Sequence, residues 1–162
     1  MPTWLNYHTL NLPSGRSDVA YCGRTKNNQV IYVARTCRKG YCVPGYAVEG
    51  IGFFVSNERQ PFQTDDFQVL VDANIRWVEY TENHELCVVA FDSISESNRF
   101  KIGSFDIEGE RYCGMVDNEN TCYINFGGEV QFKRAPEFKI LIDLRTETEV
   151  PDTDDETALL LK

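Results

Sequence analysis

Residues 31–55 read IYVARTCRKGYCVPGYAVEGIGFFV, and the reading of this stretch decides the fold. Its ends are apolar and rich in β-branched and aromatic side chains, as strands are. CRKGY in the middle reads as a short hairpin loop, with glycine where a positive φ is needed. VPGY is a second tight turn that closes on Tyr46, and GFFVSN is a short strand ending in polar turn residues. Cys37 and Cys42 lie five residues apart with basic residues between them. That spacing admits a disulfide staple, half of a metal site, or two ordinary hairpin positions.

The same succession returns later in the chain. TWLNY near the start is echoed by RWVEY, so that Trp4 matches Trp77 and Tyr7 matches Tyr80. IYVART is echoed by FKIGSF, and YCVPGYAV by RYCGMV, which sets Gly45 on Gly114 and Tyr46 on Met115. In that alignment Cys42 falls on Cys113, and the cysteine pair is not repeated. GFFVSN is echoed by TCYINF, with Phe54 on Tyr123, and DFQVLVD by EFKILID, with Phe67 on Phe138. The offsets are 73, 69, 69, 69 and 71, the drift that short insertions produce. A tandem repeat of about 70 residues follows: residues 1–73, residues 74–146, and an acidic tail, 147–162, whose composition reads as disordered.

Within each unit, alternation places Phe67, Val69 and Val71 on one strand face and Phe138, Ile140 and Ile142 on its counterpart. Glu108-Gly109 marks the turn of the second hairpin. No segment before residue 150 carries a helical stripe. The expected fold is all-β, with two pseudo-symmetric repeats forming small antiparallel sheets or a sandwich.

Composition narrows the function. Hydrophobic residues make up 42% of the 162, enough for one core shared by two small lobes. No apolar run is long enough for a membrane helix, and MPTWLNYHTL has no signal-peptide pattern, so the expected location is cytoplasmic. There, the six cysteines are expected as thiols. The formal net charge is −9. Six acids against one base in the tail account for −5 of it, leaving a body too mildly acidic for a nucleic-acid surface. His8 and His84 are the only histidines and no CxxC occurs, which argues against structural zinc.

The ordered set IYVAR, VPGY, FFVSN and FQVLV, occurring twice, resembles the DM-nine repeat family over roughly residues 4 to 144. The first copy supplies Trp4-Leu5, Cys22-Gly23, Ile31 to Arg35, Pro44-Gly45 and Phe67 to Val71. The second supplies Trp77-Val78, Ile102-Gly103, Cys122 to Glu129 and Phe138 to Ile142. The resemblance implies two intertwined all-β repeats in a mannose-binding, pattern-recognition lectin, often a homodimer, with no metal and no cofactor. The same repeat also heads natterin-like toxins. The family's sugar-binding lysine follows Pro-Gly, and its aspartate precedes the first long strand. In this sequence Tyr46 and Met115 stand at the lysine position, and Thr25 stands at the aspartate position of copy one. The resemblance therefore implies a diverged sugar site, or a structural or protein-interaction module that has lost sugar binding.

A replacement site needs an aromatic face for sugar C–H groups and planar polar groups for hydroxyls. Tyr46, Thr25, Arg24 and Asn27 offer that chemistry around the same turns. Tyr46 remains readable either as a stacking platform or as a half-buried turn residue. Arg35, inside an apolar strand, calls for an acid, with Glu58, Asp72 and Glu49 as candidates. Glu129 reads as a buried acceptor of turn amides. Cys42 with His8 and Cys87 with His84 are the Cys–His pairs available to a nucleophilic mechanism. Nothing in the sequence orients either pair, so no enzyme is expected.

Overall fold

The alternating runs form strands. The computed structural model describes residues 3–10, 18–71, 74–81, 86–91 and 98–144; the acidic tail and His84 lie outside them. The first repeat contributes β1 (Thr3–Asn6), β2 (Tyr21–Arg24), β3 (Val30–Arg38), β4 (Tyr41–Val48), β5 (Ile51–Val55), β6 (Pro61–Thr64) and β7 (Gln68–Val71). The second contributes β8 (Ile75–Glu79), β9 (Lys101–Ile107), β10 (Glu110–Val116), β11 (Thr121–Phe126), β12 (Glu129–Arg134) and β13 (Lys139–Asp143). A 3₁₀ turn, Tyr7–Thr9, follows β1, and the fold is all-β as expected.

The strands form two antiparallel sheets. One has the order β1-β7-β3-β4-β5-β6, with β2 added to β3; the other has the order β8-β13-β9-β10-β11-β12. With β1 matched to β8, β3 to β9 and β7 to β13, the two orders are the same. The registers agree as well: Trp4 faces Leu70 as Trp77 faces Leu141, and Arg35 faces Gln68 as Ser104 faces Lys139.

The β9–β10 turn is Glu108-Gly109, with φ of 54° and 87°, the two-residue geometry that suits the twist of a hairpin. Two other alignments of the sequence need correction. Tyr46 faces Phe53 across β4–β5, and Met115 faces Tyr123 across β10–β11, so Phe53, not Phe54, is the counterpart of Tyr123. The cause is the connecting turn, which spans Glu49-Gly50 in the first repeat and Asn118 to Asn120 in the second. Cys42 is likewise not the counterpart of Cys113. Cys37 faces Cys42 where Asp106 faces Arg111, so position 42 answers to 111.

Two apolar clusters are buried, and each draws on both repeats. One joins Ile31, Val33, Tyr46 and Leu70 to Ile102, Cys113, Ile124 and Phe138. The other joins Ala34, Phe54, Phe67 and Val69 to Phe100 and Met115. Tyr46 thus reaches into the second repeat's cluster, and Met115 reaches into the first's. Fully burying one such side chain is worth about 1.5–3 kcal/mol, so each sheet gains stability from the other that covers it. Close packing also explains the paired glycines: a Cβ at Gly45 would collide with the Phe53 carbonyl, and one at Gly114 with the Tyr123 carbonyl.

Three further expectations are corrected. Cys37 and Cys42 are disulfide-bonded, with Cα atoms 3.9 Å apart, because the β3–β4 register sets them directly opposite each other. Reading the compartment from the sequence took no account of that geometry. Glu129 is exposed, since it opens β12, the edge strand of its sheet. Arg35 has no acidic partner among the described residues: its Nε donates to Gln68 Oε1 at 2.7 Å and its Nη1 to the Ala90 carbonyl at 2.5 Å.

Candidate functional site

The residues singled out around the β2–β3 connection do not converge. Thr25 holds the turn together: its amide donates to the Gln29 carbonyl at 2.8 Å, and its Oγ1 accepts from the Gln29 amide at 3.1 Å. Asn27 is exposed at the tip. Arg24 is exposed and its Nη1 donates to the Asn28 carbonyl at 3.2 Å. Asn28 adopts a φ of 66°, a conformation asparagine tolerates better than most side chains.

Tyr46 lies elsewhere, in the core. Only 4% of it is exposed. Its hydroxyl donates to the Asn125 carbonyl of β11 at 2.6 Å. Its ring stacks on Phe53 at 5.1 Å and tilts against Tyr112 at 4.8 Å. Burial pushes its hydroxyl pKa up, and Tyr112, Cys113 and Cys22 add to the shift. A ring covered in this way presents no face to a sugar in this structure. Met115 is fully buried at the equivalent position.

Side chains from the second repeat connect Tyr46 to the Lys26 turn. Tyr112 donates from its hydroxyl to Glu110, whose other carboxylate oxygen accepts the Lys26 amide at 2.6 Å. These two hydrogen bonds, with a smaller contribution from the Lys26 charge, hold the Glu110 carboxyl below its usual pKa. The space between the positions that the family resemblance singles out is therefore filled by a structural bridge.

Of the four, Arg24 borders a cleft. A cleft of about 400 Å³ opens where the 3₁₀ turn meets β3, lined by Tyr7, Arg24, Asn28, Gln29, Tyr32 and Glu49 among others. It combines two phenol rings, a guanidinium, a carboxylate and side-chain amides. Burial raises the Tyr32 pKa, Tyr7 raises it further, and Arg24 opposes the shift. Tyr7, Tyr32 and Glu49 were missed by sequence reasoning. Tyr7 was visible only as a repeat marker, Tyr32 only within the strand motif IYVAR, and Glu49 only as a candidate acid for Arg35.

Of the nucleophile candidates, the Cys42–His8 pair is not formed, and His84 lies outside the described residues. Cys42 is in the disulfide, and His8 donates from Nε2 to the Asp65 carbonyl at 2.6 Å. Burial pushes the thiols of Cys87, Cys113 and Cys122 above their ordinary pKa. Among the described residues, no three His, Cys, Asp or Glu side chains are grouped as metal ligands would be. No helix there is long and apolar enough to cross a membrane.

No family model and no curated protein matches the chain. Among solved structures it is similar to the crystal structure of the nematode sperm cell motility protein MFP2B, with a TM-score of 0.63 and 15% identity. The match covers 88% of this chain and 45% of that one, so the chain spans somewhat under half of its neighbour. Identity this low shows a shared fold and nothing more.

Proposed function

We propose that the protein is a non-enzymatic recognition module of the DM-nine type. Its carbohydrate site lies in the cleft between Tyr7, Tyr32 and Arg24 and not at Tyr46, which lies within β4 and not at a turn. The observation that supports this reading is the chemistry of the cleft. Phenol rings suit the apolar face of a hexose, while a guanidinium, a carboxylate and amides suit its hydroxyls. The cleft's volume of about 400 Å³ also falls within the roughly 300–1,000 Å³ of small-ligand sites. The ligand on this reading is a mannose-type glycan, and the role is pattern recognition in innate defence, exercised in the cytoplasm or after unconventional secretion. A glycan array of the purified protein tests it. Tyr7→Ala and Arg24→Ala are each expected to weaken the retained glycan about tenfold, a loss of about 1.4 kcal/mol. Retention of no glycan would end the reading.

A second reading, a protein-interaction module, is favoured by β12. Among the described residues β12 pairs only with β11, and its six residues are mostly exposed, Phe132 at 56%. An unpaired edge of this kind invites another strand. Antiparallel pairing of β12 with its own copy about Gln131 would set Glu129 opposite Lys133 of the partner subunit, and Val130 opposite Phe132 of the partner subunit. The equivalent edge strand, β6, is shorter and starts at Pro61, which cannot donate a ladder hydrogen bond. The expected assembly is a homodimer, measurable by sedimentation equilibrium. Glu129→Lys and Lys133→Glu should each weaken it, and combining the two should restore it.

A further inference from the structure

Each repeat carries a cleft at the same place. In the first repeat Arg35, Thr36, Asp66 and Gln68 are among its walls. In the second the walls include Ser104, Asp106, Arg111, Glu137 and Lys139. The pairings Arg35–Gln68 and Ser104–Lys139 occupy the same register of the two sheets, so these are twin sites that differ in chemistry.

Each cleft has a guanidinium, at a different position: Arg35 where the second repeat has Ser104, and Arg111 where the first has Cys42. In the second cleft Arg111 donates from Nη1 to Ser104 Oγ at 3.1 Å and pairs with Asp106 at 3.2 Å. In the first cleft the position of Asp106 is held by Cys37, which is committed to the disulfide. Arg35 is half-buried, its guanidinium lies 4.9 Å from the centre of the Trp4 ring, and its hydrogen bonds go to a neutral amide and a carbonyl. Burial lowers its pKa to about 10, the mark of a cation without a counter-charge.

The polar side chains that line the first cleft have mostly donors left to offer. Gln68 has spent its Oε1 on Arg35, and Asn6, another wall residue, accepts the His8 amide at 3.0 Å with its Oδ1. Among the described residues this leaves Nη2 of Arg35, Nε2 of Gln68 and Nδ2 of Asn6 without acceptors. Thr36 is occupied, donating to the Asp66 carbonyl at 3.0 Å. The exposed Asp66 carboxylate is the one acid in this lining, and it makes no ion pair with Arg35.

We infer that the cleft over Arg35, about 340 Å³ in volume, binds a carboxylate group, with the guanidinium as the charge partner and the Asn6 and Gln68 amides as flanking donors. The carboxylate comes from a small organic acid or from the C-terminus of a peptide; the donor set is the same for both. A group bound here sits in the first repeat only, since Ser104 stands at the position of Arg35 in the second and Arg111 there is already paired with Asp106.

Side-chain NMR of Arg35 and Gln68 tests the site, with acetate and N-acetylglycine as probes and acetamide as the neutral control. Saturable shifts are expected with the carboxylates, with a dissociation constant on the order of 1 mM, and none with acetamide. Stronger binding of N-acetylglycine points to a peptide terminus, and stronger binding of acetate to a small acid. Arg35→Gln should weaken binding at least about tenfold, and Arg111→Gln should leave it unchanged. If Arg35→Gln fails to fold, Cys37→Asp with Cys42→Ser serves instead. It places a carboxylate two residues along the strand from Arg35 and should displace the probe. Equal response to acetamide, no saturable shift with either carboxylate, or binding indifferent to both variants would overturn the inference.

Discussion

The β3–β4 and β9–β10 hairpins have the same register, yet they are tied differently at the same rung. The first carries the Cys37–Cys42 disulfide; the second carries the Asp106–Arg111 ion pair, whose acid is largely exposed. The two repeats thus carry a cross-strand link at the same rung by different chemistries. The choice has consequences for the neighbourhood. An aspartate at the rung can also serve a guanidinium beside it, whereas a disulfide cannot, and Arg35 is left without a counter-charge.

Variants can break this comparison in order of expected effect. Largest should be Gly45→Ala or Gly114→Ala, since each adds a methyl group where a carbonyl oxygen already sits. A cost of about 3 kcal/mol or more is expected for both in urea unfolding, and a large asymmetry would show that the two sheets are less alike than their registers suggest. Next is Asn125→Ala. Its Nδ2 donates to the Phe54 carbonyl at 3.2 Å and the Phe62 carbonyl at 2.9 Å, tying the second sheet to the first. Loss of these buried bonds should cost about 2–3 kcal/mol.

The rung itself comes third. Replacing both cysteines with serine should cost up to about 2 kcal/mol, because the loop they close is short. Reducing agent should destabilise the parent protein by the same amount and leave the double variant unmoved. Asp106→Asn should cost less than about 1 kcal/mol, and that cost should shrink as salt is added.

The smallest effect concerns pH. The folded Glu110 carboxyl has a pKa below its unfolded value, so between the two the unfolded chain binds more protons. Its contribution to stability is present above the unfolded pKa and lost as pH falls through the folded one. Glu110→Gln should flatten the acid limb of the stability profile, and a carboxyl titrating at its ordinary pKa by NMR would remove the bridge to Lys26.

The repeat was legible because strand spacing survives in the chain. The constant offset of 69 predicted that the β3–β4 and β9–β10 pairs would share a register. One residue of difference in the following turn was enough to misplace Phe54 on Tyr123, since a slip of one reverses every side chain in a strand. Sites were far less legible. The burial of Tyr46 depends on Tyr112 and Asn125, which lie 66 and 79 positions away, and no local pattern contains them. Glu129 was misread for a related reason: whether a strand lies at an edge is a property of the sheet order, not of the strand.

In each sheet the first strand is hydrogen-bonded to the last, β1 to β7 and β8 to β13. Each unit therefore begins and ends at the same place in space, and β8 starts four positions after β7 stops. Such a unit behaves as a cassette: a further copy can be appended without re-routing the chain. The exchange of Tyr46 and Met115 between the two cores adds a condition. A lone cassette would leave one cluster unfilled, so the unit of growth is the pair.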